Sequence, residues 1–265
     1  MSDAANRRLL IAVDVGNTTT VFGVYRGDDL EESFRLKTDR ERTADEYGAL
    51  LLPLFQRAGL PLDSTEGVVV SSVVPPVNVT LERLARRYFG CPPLFVEPGV
   101  KTGMPIRYDN PVEVGADRIV NALAARELYG TPVVVVDFGT ATTFDVVNAA
   151  GEYAGGIIAP GIEISAEALF AHASRLHRVD IKKPPQLVGG NTAAAMQAGL
   201  YYGYVGLVDG ILERLLAELP GLETVVATGG QAELVAKGSR HIKTVDQRLT
   251  LVGLKLVYER NRPRS

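Results

Sequence analysis

Hydrophobic and polar positions along the chain fall into two rounds of one alternation. Arg8 to Val13 is an apolar run that stops at Asp14, and after a polar turn containing Gly16 a second β-rich run occupies Thr20 to Tyr25. The pair predicts a hairpin. Arg26-Gly27-Asp28-Asp29 is a further turn signal, and Leu30 to Leu36 alternates as a third antiparallel strand. Thr43, with Glu46 three residues later, marks a capping-box start for a helix through Tyr47, Leu50, Leu51, Leu54 and Phe55, kinked at Pro53 and ended by Gly59. Val68 to Val70 reads as a buried strand, and Asn78 to Tyr88 as a helix with Leu81, Leu84 and Tyr88 on one face.

Glu97 to Pro111 is rich in Gly and Pro and carries neither period, so it predicts a long ordered loop or lid. Ala116 to Tyr129 then has helical spacing through Ile119, Leu123 and Leu128, with Gly130 as its stop. There the pattern restarts. Pro132 to Val136 is a buried strand ending in Asp137, Thr142 to Val147 is its partner after another glycine turn, and Tyr153 to Ile158 is a third strand. Helices at Ile162 to Ala173 and Thr192 to Leu219, a strand at Thr224 to Ala227 and a terminal helix at Leu251 to Arg260 complete the map. The fold class is α/β, in two similar halves.

Composition narrows the function. With 28 Lys plus Arg against 31 Asp plus Glu, the net charge of -3 argues against a broad surface for nucleic acid or membrane. At 265 residues and 46% hydrophobic content the chain can bury a substantial core as one large domain or two small ones. No apolar run approaches the roughly 18 residues of a membrane-spanning helix, so the expected location is cytoplasmic. The single Cys91 forms no internal disulfide, and His172, His177 and His241 lack zinc-ligand spacing.

The most informative feature is an internal repeat. Leu9 to Val21 aligns with Pro132 to Phe144 at one offset, so that Asp14 meets Asp137, Gly16 meets Gly139, and Thr19 and Thr20 meet Thr142 and Thr143. Both copies encode a strand, an acidic residue, a glycine turn and a hydroxyl-rich second strand. Such a turn offers backbone N–H groups and Thr hydroxyls to an anion, and glycine removes the Cβ that would hold a phosphate away. The adjacent carboxylate would repel phosphate unless a cation lies between them. One copy alone reads equally well as an ordinary hairpin with capped N–H groups; two matched copies predict a nucleotide clamped in a cleft between the halves. A third glycine loop, Ala227-Thr228-Gly229-Gly230-Gln231-Ala232, follows a strand and precedes a helix. No G-x-x-x-x-G-K-[ST], strand-following G-x-G-x-x-G or G-x-S-x-G occurs, which sets aside P-loop, Rossmann and α/β-hydrolase enzymes by motif.

The paired hairpins and the late Thr-Gly-Gly loop resemble the superfamily of acetate and sugar kinases, actin and Hsp70. Within it the chain resembles type III pantothenate kinase. The specific parts are Asp14-Val15-Gly16-Asn17-Thr18, Tyr108-Asp109-Asn110-Pro111 with Gly115-Ala116-Asp117-Arg118, and Asp137-Phe138-Gly139-Thr140-Ala141-Thr142, followed by Gly155 to Gly161 and Gly190-Asn191-Thr192. The resemblance spans about Ile11 to Leu256. It implies two duplicated RNase H-like (actin-like ATPase) halves, residues 1–130 and 131–249, each a mixed sheet of three antiparallel strands followed by parallel ones, with helices on the faces and the last helix, about 250–262, packing back on the first half.

The resemblance further implies phosphoryl transfer from ATP to the primary hydroxyl of pantothenate, the first step of coenzyme A synthesis, with Mg²⁺ and a monovalent cation, K⁺ or NH₄⁺, as cofactors. Asp117 would be the general base; its plain alternative is a helix cap. Arg118 would receive the substrate carboxylate, and is otherwise a solvated surface charge. Tyr108 and Thr192, with Gly115 and Ala116, would complete the substrate site, although Tyr108 could be a loop anchor and Thr192 a helix cap. Asp14 would hold Mg²⁺ through water, with Val15, Gly16, Asn17, Thr18, Thr19, Thr20 and Val21 along the phosphate path. Asp137 would bind the monovalent cation, and Thr140, Gly229 and Gly230 would contact ATP. None of the three nucleotide loops contains Lys, so ions and backbone dipoles must neutralise the phosphates. The family also implies a homodimer. An ATP-binding regulatory protein resembling a transcription accessory factor, and a kinase of another small hydroxylated substrate, remain open.

Overall fold

A computed structural model describes residues 8–173 and 176–262, and the chain divides into two compact units, 1–103 with 110–124 and 250–265, and 104–109 with 125–249. The division therefore falls inside a helix, not at 130/131, and the tip of the long loop goes with the second unit.

In the first unit, β1 (Leu9–Val15), β2 (Thr19–Arg26) and β3 (Asp29–Lys37) form the antiparallel part of a sheet ordered β3-β2-β1-β4-β5, and β4 (Thr65–Ser72) and β5 (Pro93–Phe95) add to it in parallel. Period-2 alternation turns Leu9, Ile11, Val13 and Val15 to one face. There they meet α1 (Ala44–Arg57) and α2 (Pro75–Leu84) in a core with Phe22, Tyr47, Phe55, Val70 and Leu81. The capping box of Thr43 and Glu46 forms as expected, and α1 runs through Pro53. The predicted helix over Asn78 to Tyr88 starts three residues earlier, with Pro75 at its first position, and ends in a π-helical turn over Ala85–Phe89. On the opposite face small residues let a helix approach. Leu251 of α7 (Leu249–Asn261) lies on Gly23, and Tyr258 on Gly67, its hydroxyl donating to the Glu66 carbonyl. Gly253 of α7 sits directly against the Val120 carbonyl of α3 (Ala116–Tyr129).

The second unit repeats the plan. β6 (Val133–Phe138), β7 (Ala141–Val147), β8 (Tyr153–Pro160), β9 (Thr224–Gly229) and β10 (Thr244–Val245) are ordered β10-β9-β6-β7-β8, with β6, β7 and β8 antiparallel and β9 and β10 parallel. Sheet order and sense match those of the first unit strand for strand. Val134, Val136, Phe138, Phe144 and Val146 face a core built with Tyr201, Tyr204, Val208 and Leu212 of α5 (Thr192–Glu218) and with α6 (Ala232–Ala236); α4 (Ile162–His172) adds Ile162 to it. No helix among the described residues is long and apolar enough to cross a membrane.

A Cβ at Gly253 would overlap backbone atoms of Val120, which cannot swing aside as a side chain can. Gly253→Ala should therefore cost about 1–3 kcal/mol and lower Tm by several degrees in a calorimetric scan.

Candidate active site

The acidic hairpin of the first unit closes at Gly16, whose amide donates to the Thr19 carbonyl at 3.0 Å. Thr38, just past the end of β3, straps the turn from outside: its amide donates to the Thr18 carbonyl (2.9 Å) and its hydroxyl to the Gly16 carbonyl (2.7 Å). The Thr38 hydroxyl also lies 2.8 Å from that of Thr20, and both threonines are buried. Thr20 is thus a structural fastener beneath the turn and not a phosphate-facing hydroxyl. Val15, equally buried, uses its carbonyl to accept the Val73 amide. What the hairpin presents outward is Asn17 and Thr18, fully exposed, with Gly16, Thr19, Val21 and Asp14 half-buried.

The second hairpin has the same design from different parts. The Gly139 amide donates to the Ala141 carbonyl (3.0 Å), and the Gly161 amide straps the Thr140 carbonyl (3.1 Å). Buried Thr142 bonds the Tyr204 hydroxyl, which in turn reaches the Pro160 carbonyl at 3.2 Å. Thr140 and Gly139 are exposed. Strand pairing corrects the single-offset alignment of the repeat. Asp14 lies opposite Val21, whereas Asp137 lies opposite Thr143, so the first turn is one residue longer. Beyond it the equivalent pairs are Thr20 with Thr142 and Phe22 with Phe144, all four buried. Gly229 sits against Asp137 with φ +92; a Cβ there would lie 2.5 Å from Asp137 Oδ1 and 2.7 Å from Phe138 N. Only glycine serves at such a place. Gly230 beside it is exposed with open space around it.

Asp117 occupies the first turn of α3, where Gly115 offers its carbonyl to the Ile119 amide at 3.2 Å. Its Oδ1 accepts the Arg118 amide at 2.8 Å, and a Cβ on Gly115 would lie 2.5 Å from the same oxygen. Burial pushes the Asp117 carboxyl above the ordinary carboxylate range, against the opposing pull of the Arg118 amide, the Arg118 charge and its own amide. One side chain thus satisfies a first-turn amide of α3 and is at the same time more basic than an ordinary carboxylate. Arg118 is only 7% exposed, which removes its reading as a solvated surface charge. Ala116 is half-buried beside them.

Tyr108 belongs to the second unit. The Arg107 amide donates to the Tyr153 carbonyl (2.8 Å) and the Tyr153 amide to the Pro105 carbonyl (2.9 Å), which fixes the loop along the start of β8. The half-exposed Tyr108 ring leans on the Tyr153 ring with centroids 6.3 Å apart. Thr192, expected either in the substrate site or as a cap, is exposed as the first residue of α5, and the cap is Asn191, whose Oδ1 accepts the Ala194 amide at 2.9 Å.

Residues not singled out from the sequence complete these corners. Ser71, the β4 neighbour of Asp14, is fully buried with its hydroxyl unpartnered, and Thr38 makes the strap. Neither is signalled locally, because each reaches its corner through pairing between distant strands. The donor sets can be tested against the expected cations. Among the described residues no three His, Cys, Asp or Glu side chains gather as a metal cage. One carboxylate beside exposed turn residues, with the buried Ser71 hydroxyl next to Asp14, suits a hard ion that keeps its water and takes phosphate oxygens.

Known proteins resemble the chain in sequence and in fold. The type III pantothenate kinase family profile matches residues 10–214. A type III pantothenate kinase of Geobacter sulfurreducens is 58% identical over 254 residues, covering 96% of this chain and all of its own, and one from Koribacter versatilis is 55% identical over 263 residues, 96% of each chain. Among solved structures, ethanolamine utilization protein EutJ of Carboxydothermus hydrogenoformans superposes with TM-score 0.52 at 16% identity over 93% of this chain and 89% of its own. Component A of the Acidaminococcus fermentans (R)-2-hydroxyglutaryl-CoA dehydratase gives 0.53 at 9% identity over 96% and 100%. At such identities these two speak for the fold alone.

The raised Asp117 carboxyl has a consequence for stability. Between its unfolded value near 3.9 and its higher folded value the native state binds more protons, so this group costs stability increasingly as pH rises through that window and fully above it. Asp117→Asn should raise Tm at pH 7, and the gain should vanish below about pH 4 in scans across pH.

Proposed function

The chain belongs to the type III pantothenate kinase family, and on that premise we propose how its residues divide the work. The protein is an enzyme of coenzyme A biosynthesis that phosphorylates pantothenate with ATP. The observation that carries the mechanistic reading is Asp117: a carboxyl in a helix first turn, backed by Gly115 and made more basic by burial. The substrate hydroxyl oxygen bonds to the γ-phosphorus as the bond to the β–γ bridging oxygen breaks. ADP leaves, and the hydroxyl proton passes to Asp117. A pKa nearer to neutrality improves the match between that base and its task.

Arg118 receives the pantothenate carboxylate, where burial makes a bidentate pair stronger than at an exposed site. Tyr108 lines the substrate, with Gly115 and Ala116 beside Asp117, and Thr192 as a hydroxyl contact. Asn17, Thr18 and Thr19, with the Gly16 amide region, follow the phosphates, while Val15, Thr20 and Val21 shape that path from beneath or beside it. Thr140, Gly229 and Gly230 contact ATP. Asp14 would hold Mg²⁺ and Asp137 would hold K⁺ or NH₄⁺, and these ions would neutralise phosphate charge that no lysine in the loops could meet. We place the enzyme in the cytoplasm.

One assay tests the reading: ADP release with pantothenate, with and without potassium, beside sugars and short carboxylic acids. Pantothenate-dependent, potassium-stimulated release is expected; ATP binding without turnover would favour a regulatory protein, and preference for a sugar would favour another kinase. Asp137→Ala should abolish the potassium response, and an unaltered potassium titration would defeat its assignment. Asp117→Asn should lower kcat about 100-fold or more while KM for ATP holds within roughly twofold.

Homodimerisation is part of the proposal. β8 and α4 expose Ile157, Ile158, Ile164 and Leu169, with Ile158 at 62%, more apolar surface than a solvated face needs. Ile158→Glu should shift the protein from dimer to monomer in sedimentation velocity, and a variant that still sediments as a dimer would move the contact elsewhere.

A further inference from the structure

The buried face of the second sheet holds a carboxylate that the reaction above does not use. Asp145, in the middle of β7, has no exposed surface. Its Oδ1 accepts the Tyr153 hydroxyl and its Oδ2 the Thr143 hydroxyl, each at 2.8 Å. Strand alternation puts Thr143 and Asp145 on one face, and antiparallel pairing sets Thr143 directly opposite Asp137. Tyr153 is fully buried, and its ring supports that of Tyr108. Gly155, whose φ of +102 favours glycine, lies beside the same ring, since a Cβ there would stand 3.7 Å from the Tyr108 ring, an ordinary van der Waals contact. A chain of contacts thus runs from the Asp137 strand pair through Thr143, Asp145 and Tyr153 to Tyr108, all within one unit.

A carboxylate without solvent is costly, and an apolar residue between Val135 and Val147 would spare the desolvation. What Asp145 supplies is orientation. As an acceptor for two hydroxyls it fixes both O–H directions at once, which neither an apolar residue nor an amide can do. Tyr153 is held at both ends: its backbone clamps the 105–107 loop, and its hydroxyl is tied to Asp145. The Tyr108 ring then rests on a partner that cannot rotate away.

We propose that Asp145 is a positioning residue for substrate binding, which sets the Tyr153 ring and through it the Tyr108 side chain that meets pantothenate. The proposal rests on the reading of Tyr108 as a substrate contact. Asp145→Asn retains size but offers one acceptor where two hydroxyls need one each. KM for pantothenate should rise about tenfold, with KM for ATP within about twofold and kcat much less affected. Tyr153→Phe keeps the ring and removes the hydroxyl, so it should raise KM for pantothenate severalfold, and it carries the test alone if Asp145→Asn does not fold.

In a Tyr108→Ala background Asp145→Asn should add no further rise. A merely structural carboxylate would lower Tm and active fraction without this split between the two KM values. Unchanged KM for pantothenate in both single variants would overturn the proposal, as would an Asp145→Asn effect that persists undiminished without the Tyr108 ring. Tyr108→Ala with wild-type KM would instead remove Tyr108 from the substrate site, a failure distinguishable from the first.

Discussion

Everything the two hairpins can offer a ligand depends on how their turns are held. A glycine turn is floppy unless its carbonyls are satisfied, and in each unit a donor from a later part of the chain meets them. In the first it is Thr38, with both amide and hydroxyl; in the second it is the Gly161 amide. Beneath each turn a buried threonine locks the base, Thr20 to Thr38 and Thr142 to Tyr204. Net hydrogen-bond energies are near 1 kcal/mol apiece, so these straps contribute modestly to overall stability. Their consequence is preorganisation: the conformation of each turn is fixed by the protein's own hydrogen bonds, so that little ordering is left for a ligand to impose.

Carboxylate placement follows from the same strand geometry. Asp14 and Asp137 each stand one residue from the end of a central strand, flanked by an antiparallel neighbour on one side and a parallel neighbour on the other. Such a position is rigid yet reaches the sheet's open end. Asp117 uses a different device. The helix N-terminus favours its charge and burial disfavours it, and burial wins. The outcome is a carboxyl with a higher proton affinity than an exposed aspartate has.

Much of the fold is legible in the sequence because its signals are local. The hairpins, the Thr43 capping box, α3 with its Gly130 stop and the long α5 all follow from period and turn chemistry over a few residues. What escapes is decided at a distance. β5 is three residues with a proline at its head, and β10 is two; both exist because a parallel neighbour offers unpaired groups to them. The extra residue in the first turn is invisible to an ungapped match, because Thr19 and Thr20 both pair plausibly with threonines in the second copy. Only burial separates the fastener Thr20 from the half-buried Thr19 beside it. The candidate site divides the same way: Asp14, Asp117 and Asp137 stand out by motif, while Thr38 and Ser71 are brought in by strand pairing and carry no mark of their own.

The period of two explains why one sheet can serve as both core and site. Along β6 and β7, Val136, Phe138, Thr142, Phe144 and Val146 turn toward α5, and there even the threonine is consumed internally. The alternate residues form the other face, which begins as apolar Val133 and Val135 and becomes polar at Asp137, Thr143 and Asp145. Apolar and polar side chains thus share one face with no change of backbone, Asp145 lying opposite Val135 and Thr143 opposite Asp137. The cost is a fully buried carboxylate at Asp145, offset in part by the two hydroxyls that face it. Those hydroxyls in turn lose their rotational freedom, so a polar group introduced into a valine-lined face ends by fixing aromatic rings that a wholly apolar face would leave free to shift.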